Sequence, residues 1–180
     1  MNNHVQTYNN LIQNFGDTLQ NTSKDTQSNC CMTTNQFTVV NFDAFKENIV
    51  RKFGLSKSPK SCDALCCING QFFLIEFKNG KMDKNKVYEI RGKIFESLLL
   101  LTEELGVTIN YTRNNLTFIL VYNDSVRHSI NSSLSRKAKI NDILFGLDSF
   151  EKIYFKDVFT MNEDEFKIEF VSKYLVNQVK

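Results

Sequence analysis

Apolar residues recur at helical steps at the start of the chain. Val5, Tyr8, Leu11, Ile12, Phe15 and Leu19 fall at steps of three and four, which predicts an amphipathic helix over about residues 4 to 20. Residues 21 to 36, NTSKDTQSNCCMTTNQ, lose that period and are rich in Asn, Ser and Thr, so they read as a loop or linker. The pattern therefore divides the chain into a helix with a polar linker, residues 1–36, and a main domain, residues 37–180.

The β-branched run from Phe37 to Val40 leads into Asn41-Phe42-Asp43, where Asn41 or Asp43 can cap a helix that runs to about Phe53. Phe42, Phe45, Ile49, Val50 and Phe53 give that helix one apolar face, and Gly54 closes it. The stretch LSKSPKS that follows is polar, and its Pro59 disfavours regular structure, so a distinct strand before Asp63 is not expected. Residues 62–68 and 71–77 are apolar runs separated by Asn69-Gly70, the strongest short-range hairpin signal a sequence carries.

Beyond the hairpin, Val87, Ile90, Ile94, Leu98, Leu101 and Leu105 predict a long helix from about Asp83 to Leu105, ended by Gly106. Leu116 to Tyr122, LTFILVY, reads as a buried strand. A further helix over residues 130 to 147, a short strand from Lys152 to Phe155, and a helix from about Asn162 to Val179 complete the expected elements. The helix over residues 130 to 147 has a basic middle at Arg136, Lys137 and Lys139. These elements make an α/β class, with a central mixed β-sheet flanked by helices and an extra N-terminal helix.

Length and composition sharpen this picture. A chain of 180 residues with 42% hydrophobic residues, 16 Phe and a single Pro suits one domain with a well-filled core. The net charge is only +2, so contact with a polyanion has to come from local basic clusters. The opening MNNHVQTYNN has neither a basic start nor an unbroken apolar run, so no secretory signal is expected. No stretch approaches the roughly 18 apolar residues of a membrane span. The five cysteines are odd in number and lack a disulfide rhythm, which fits a reducing cytoplasm.

Candidate chemistry centres on the hairpin. If Asn69-Gly70 occupies the centre of a type I′ turn, residue 68 pairs with 71, and counting back from the turn sets Asp63 opposite Glu76. Directly opposed residues hold their Cβ atoms about 4.5–5.5 Å apart, so the two carboxylates repel each other unless a cation bridges them. Strand alternation puts Phe72, Leu74, Glu76 and Lys78 on one face, with Phe73, Ile75 and Phe77 on the other. An acid and an amine at the end of an apolar face are costly to bury unpaired. Carboxylate oxygens suit Mg²⁺ or Mn²⁺, which acidify a bound water and neutralise a phosphate, and a neighbouring Lys can orient that water.

The segment SCDALCCINGQFFLIEFKNG carries a more specific likeness. Asp63, twelve intervening residues and then Glu76-Phe77-Lys78, on a hairpin flanked by helices, resembles the PD-(D/E)XK nuclease superfamily over roughly residues 37 to 123. The resemblance implies a restriction-endonuclease-like core in which Asp63 and Glu76 hold a divalent Mg²⁺ or Mn²⁺ and Lys78 assists the attacking water. It also implies an additional acid from the helix before the hairpin, for which Glu47 is the only Glu in DAFKENIVRKF. Ser61-Cys62 stands where the family carries its motif proline, a residue that is not a metal ligand.

The implied function is metal-dependent hydrolysis of phosphodiester bonds, with DNA rather than RNA as the expected substrate, in settings such as phage defence, mobile elements or bacterial competition. The alternative is a catalytically inactive module of the same fold that binds nucleic acid or a protein. Lys84, Lys86, Glu89, Lys93 and Glu96 make a solvated helix face, yet its start also offers Lys84, Lys86, Arg91 and Lys93 to a phosphate backbone. Cys62, Cys66 and Cys67 are too irregularly placed for zinc and read as buried thiols. The first helix either packs on the core or serves a homodimer or protein partner.

Overall fold

The computed structural model describes residues 3–123 and 142–175. Its organising feature is the expected hairpin of β5 (Ala64–Ile68) and β6 (Gln71–Lys78). Asn69 and Gly70 both have positive φ, 52° and 81°, as a type I′ turn requires. The register runs from Ile68 opposite Gln71 to Ala64 opposite Ile75. Beyond that pair the regular ladder ends: the Asp63 N–H donates at 3.0 Å to the carbonyl of Ile75, the residue already opposite Ala64. A Cβ on Gly70 would meet nothing within 4 Å, so only the backbone conformation penalises a side chain there. Gly70→Ala is expected to lower the unfolding free energy by about 1–2 kcal/mol, read from urea denaturation.

The hairpin sits inside a six-stranded mixed sheet of order β1-β4-β5-β6-β7-β8. The other strands are β1 (Gly16–Thr18), β4 (Thr38–Asn41), β7 (Leu116–Tyr122) and β8 (Asp157–Asn162). Neighbours from β1 through β6 are antiparallel, and β6, β7 and β8 run parallel. Parallel pairing needs a long crossover. Between β6 and β7 it is supplied by α4 (Lys84–Leu105) and α5 (Ile109–Asn115). The Asp83 side chain caps the start of α4, and Gly106, at φ 62°, ends it as expected.

Strand alternation splits the core in two. Phe72, Leu74, Phe118 and Leu120 face the helices α1 (Asn3–Phe15), α3 (Phe42–Phe53) and α4, where they meet Leu11, Phe45, Ile90, Ile94 and Leu98. Phe73, Ile75, Phe77 and Ile119 face the opposite layer with Phe166 and Phe170. Phe73 makes an edge contact with Phe170 at 5.0 Å between ring centroids, and Phe77 with Phe166 at 5.6 Å. These last residues belong to the C-terminal helix, which begins as α6 (Glu163–Glu165) and continues in π-helical turns through Leu175. Asn162 and Glu165 form a reciprocal capping box at its start.

Several elements differ from expectation. The first helix stops at Phe15, and Gly16–Thr18 becomes an edge strand antiparallel to β4, so Leu19 is buried in the opposite layer from Leu11. A short helix, α2 (Leu19–Thr22), follows, and the polar segment then forms a small ribbon of β2 (Lys24–Asp25) and β3 (Cys30–Cys31). Lys152 to Phe155 is a turn rather than a strand, with Lys152 at φ 62°; the strand lies just beyond, at β8. Only alternate residues of β8, Val158 and Thr160, are fully inside, so its run DVFTMN carries little apolar signal. Helix α5 buries Thr112 alone and starts from the Thr108 cap, a pattern too polar to mark a helix by periodicity. Residues 142–147 form no helix. The rest of that expected helix, including Arg136, Lys137 and Lys139, lies outside the described residues, as does the end of the helix expected to reach Val179.

Candidate active site

Asp63 immediately precedes β5, and Glu76 and Lys78 end β6, so the turn brings three polar groups to one end of the hairpin. Asp63 and Glu76 share the layer that contains α4, since Leu65 and Leu74, two residues from each, belong to that core. Glu76 is fully buried. The Asp63 carboxylate is 16% exposed and is held from two sides. Its Oδ2 accepts the Phe77 N–H at 2.6 Å, while its backbone carbonyl accepts the Phe42 N–H at 3.0 Å.

The cation between the carboxylates comes from α4. Lys93 Nζ lies 2.7 Å from Glu76 Oε1 and 3.5 Å from Asp63 Oδ1. Lys93 adjoins Ile94 and sits one turn after Ile90, and both of those face the sheet, which brings its ammonium over the end of β6. Glu76 Oε2 has no hydrogen-bond partner among the described residues.

Electrostatics follow from this geometry. Burial, reinforced by the Asp63 charge, pushes the Glu76 carboxyl well above the ordinary glutamate range against the pull of Lys93. Asp63 is also raised, burial outweighing Lys93 and the Phe77 N–H. Burial alone would lower Lys93, but the charges of Glu76 and Asp63 outweigh it and hold the ammonium above the ordinary lysine range. Next to the pair, Cys62 is buried, its N–H donates to Ser97 Oγ at 2.8 Å, and burial pushes its thiol far up. It is a core thiol rather than a nucleophile.

The other expected site residues are distributed around this centre. Lys78 is half-buried, and its charge acts on Glu76 and on Glu89. Glu47 is 53% exposed, accepts the Ser58 hydroxyl at 3.0 Å and lies 3.5 Å from Lys46. The acid of α3 whose charge Asp63 feels is Asp43. Its carboxylate accepts the Ser61 hydroxyl and pairs with Lys46 at 2.9 Å, and these bonds outweigh burial and hold it below the ordinary aspartate range.

Lys84 is exposed at the first turn of α4, and Lys86 pairs with Glu89 at 2.7 Å. Arg91 donates to the Gly146 carbonyl at 2.6 Å and lies 5.6 Å from the centre of the Phe150 ring, a tether for the segment before β8. The Lys60 stem lies against Gly92, 3.4 Å from where a Cβ would stand.

Two residues stand elsewhere than expected: Lys93, read as part of a solvated face open to a phosphate backbone, lies between the carboxylates, and Asp43, read as a possible cap, lies beside them. A signal for each existed. Lys93 stands three residues after Ile90 and next to Ile94, at the edge of the apolar stripe, a position from which a lysine can reach inward. Asn41 takes the cap of α3, its Oδ1 accepting the Ala44 N–H at 3.0 Å, which leaves the Asp43 side chain for another use.

Two hard carboxylates with one unpartnered buried oxygen fit a divalent cation that keeps most of its ligands as water. Among the described residues, no group of three or more His, Cys, Asp or Glu side chains stands close enough to enclose an ion by itself. Nor, among those residues, is any helix long and apolar enough to cross a membrane. Comparison with protein-family models, with curated proteins and with solved structures finds no match to this chain.

Proposed function

We propose that this chain is a divalent-metal-dependent nuclease of the PD-(D/E)XK type that hydrolyses phosphodiester bonds, with Asp63, Glu76 and Lys78 as its catalytic centre. The observation that supports this most is the acid pair of buried Glu76 and partly buried Asp63, which face one shared cation and carry one oxygen without a partner among the described residues. A purely structural ion pair gains nothing from a second buried acid. Asp63 and Glu76 would hold Mg²⁺ or Mn²⁺. Bound there, such an ion supplies charge neutralisation at a phosphate and a more acidic water.

The residues of the chain do the rest. The Phe77 N–H fixes the Asp63 carboxylate in the orientation that keeps Oδ1 toward Lys93. Lys78, at the end of β6 and less buried than Glu76, orients the attacking water and accepts or returns its proton. The exposed Lys84 and the half-buried Lys86 offer positive charge to the phosphate backbone from the first turn of α4. DNA is the proposed polymer, by analogy with the family that the hairpin resembles.

Incubation with supercoiled plasmid and with structured RNA, each with Mg²⁺ or Mn²⁺, tests this reading. Wild type is expected to cut DNA, and Lys78→Ala to cut at least about a hundredfold more slowly while melting at the wild-type temperature. If neither polymer is cut, or Lys78→Ala cuts as fast as wild type, the proposal fails. One observation favours a second reading, a non-enzymatic binding module: Lys93 already offers a counter-charge to both acids. That reading requires that Mn²⁺ leave the melting temperature unchanged, because an ion bound only by the folded state must raise it.

A further inference from the structure

One ammonium faces two carboxylates at the end of the hairpin. With Lys93, Asp63 and Glu76 all ionised, the cluster keeps one negative charge in excess, and Glu76 Oε2 is left without a hydrogen bond among the described residues. A divalent cation would compensate both acids, but it needs the same oxygens that Lys93 approaches at 2.7 and 3.5 Å. Mg²⁺ demands oxygen contacts of about 2.0–2.1 Å, and an ammonium at its present distance from those oxygens would then stand within a few ångströms of a doubly charged ion.

We propose that Lys93 is the resident counter-ion of the site, holding Asp63 and Glu76 in place in the free protein, and that a divalent cation binds there by displacing its ammonium. The proposal rests on the reading of Asp63 and Glu76 as metal ligands. Lysine suits the role: its head is a compact point charge on a flexible four-carbon stem, so the head can swing away while the stem stays packed against apolar neighbours. The Lys93 side chain is 20% exposed, so it is not sealed inside the core. Displacement means that the side chain that stabilises the metal-free protein also weakens its affinity for metal, so the two effects of removing it have opposite signs.

Mn²⁺ binding, followed by loss of the free-ion signal in electron paramagnetic resonance, tests this on the full chain. Lys93→Met and Lys93→Gln are expected to bind Mn²⁺ at least about tenfold more tightly than wild type, because a unit positive charge has left the site. Lys93→Gln retains a hydrogen-bond donor toward Glu76 and serves if Lys93→Met does not fold. In wild type, the Lys93 side-chain methylene resonance, identified by its absence from the Lys93→Gln spectrum, is expected to move toward the position of exposed lysines as Mg²⁺ is added. Folded Lys93 variants that bind Mn²⁺ no more tightly than wild type, or a Lys93 resonance that stays put at saturating Mg²⁺, overturn the proposal. If wild type and both Lys93 variants bind no Mn²⁺, or if the double variant Asp63→Asn, Glu76→Gln binds it as wild type does, the metal-site reading itself falls and takes this proposal with it.

Discussion

Lys93→Met is expected to cost about 3–5 kcal/mol of folding stability in metal-free buffer, the usual penalty for removing one partner of a buried ion pair. The reason lies in what the change leaves behind rather than in what it removes. Glu76 is fully buried and Asp63 partly so, and with Lys93 gone neither keeps the cation on which it relies. Both acids must then take up protons or admit water, and either response carries a price in free energy. Urea denaturation at neutral pH with a chelator present measures the loss. A loss below about 1 kcal/mol would mean that the carboxylates are far better solvated than their burial implies.

Glu76→Gln should act in the opposite direction on stability and destroy activity. It removes an acid whose ionisation burial and the Asp63 charge disfavour, while leaving Asp63 paired with Lys93, and we expect a gain of about 1 kcal/mol at pH 7 in metal-free buffer. Under the proposed function, cleavage should fall by about a hundredfold or more, since an oxygen proposed to hold the metal is lost. The pH dependence gives an independent check. The Glu76 carboxyl lies well above its ordinary range in the folded protein, so over the window between that range and its raised value the native state binds the extra proton. Stability therefore falls as pH rises through this window, and the contribution is fully present only below the unfolded value. The advantage of Glu76→Gln should grow with pH across the window and vanish toward acid. An advantage that is constant in pH, or a variant less stable than wild type at pH 7, would contradict this account of the site.

Both expectations depend on the shared end of the hairpin, and much of that end was legible before any coordinates. Asn69-Gly70 is a local signal: only residues that tolerate positive φ serve at the centre of a type I′ turn, and that turn dictates which residues oppose one another. The placing of Asp63 and Glu76 at the same end of the hairpin therefore follows from a short stretch of chain, although the register itself ends at Ala64 opposite Ile75. The long helix and its Gly106 end, the buried strand LTFILVY and the Asn41 cap are local in the same sense, since periodicity and capping act within a few residues.

What sequence reading missed depends on residues far apart in the chain. Gly16–Thr18 becomes a strand because β4 offers it an edge, and DVFTMN becomes β8 because β7 does the same; neither run shows a strong pattern of its own. Lys152 to Phe155 has the composition of a strand yet turns, because Phe155 is buried beside Phe118 and the chain must reach β7 at Asp157. The chain by itself determined the hairpin register up to Ala64 opposite Ile75, and with it that Asp63 and Glu76 stand at one end. Tertiary structure decided which charge lies between them: Lys93 reaches Glu76 across seventeen residues of sequence because α4 packs its apolar stripe on that face of the sheet. A turn is a property of neighbouring residues, whereas a counter-ion is a property of whichever side chains packing brings within Coulomb range.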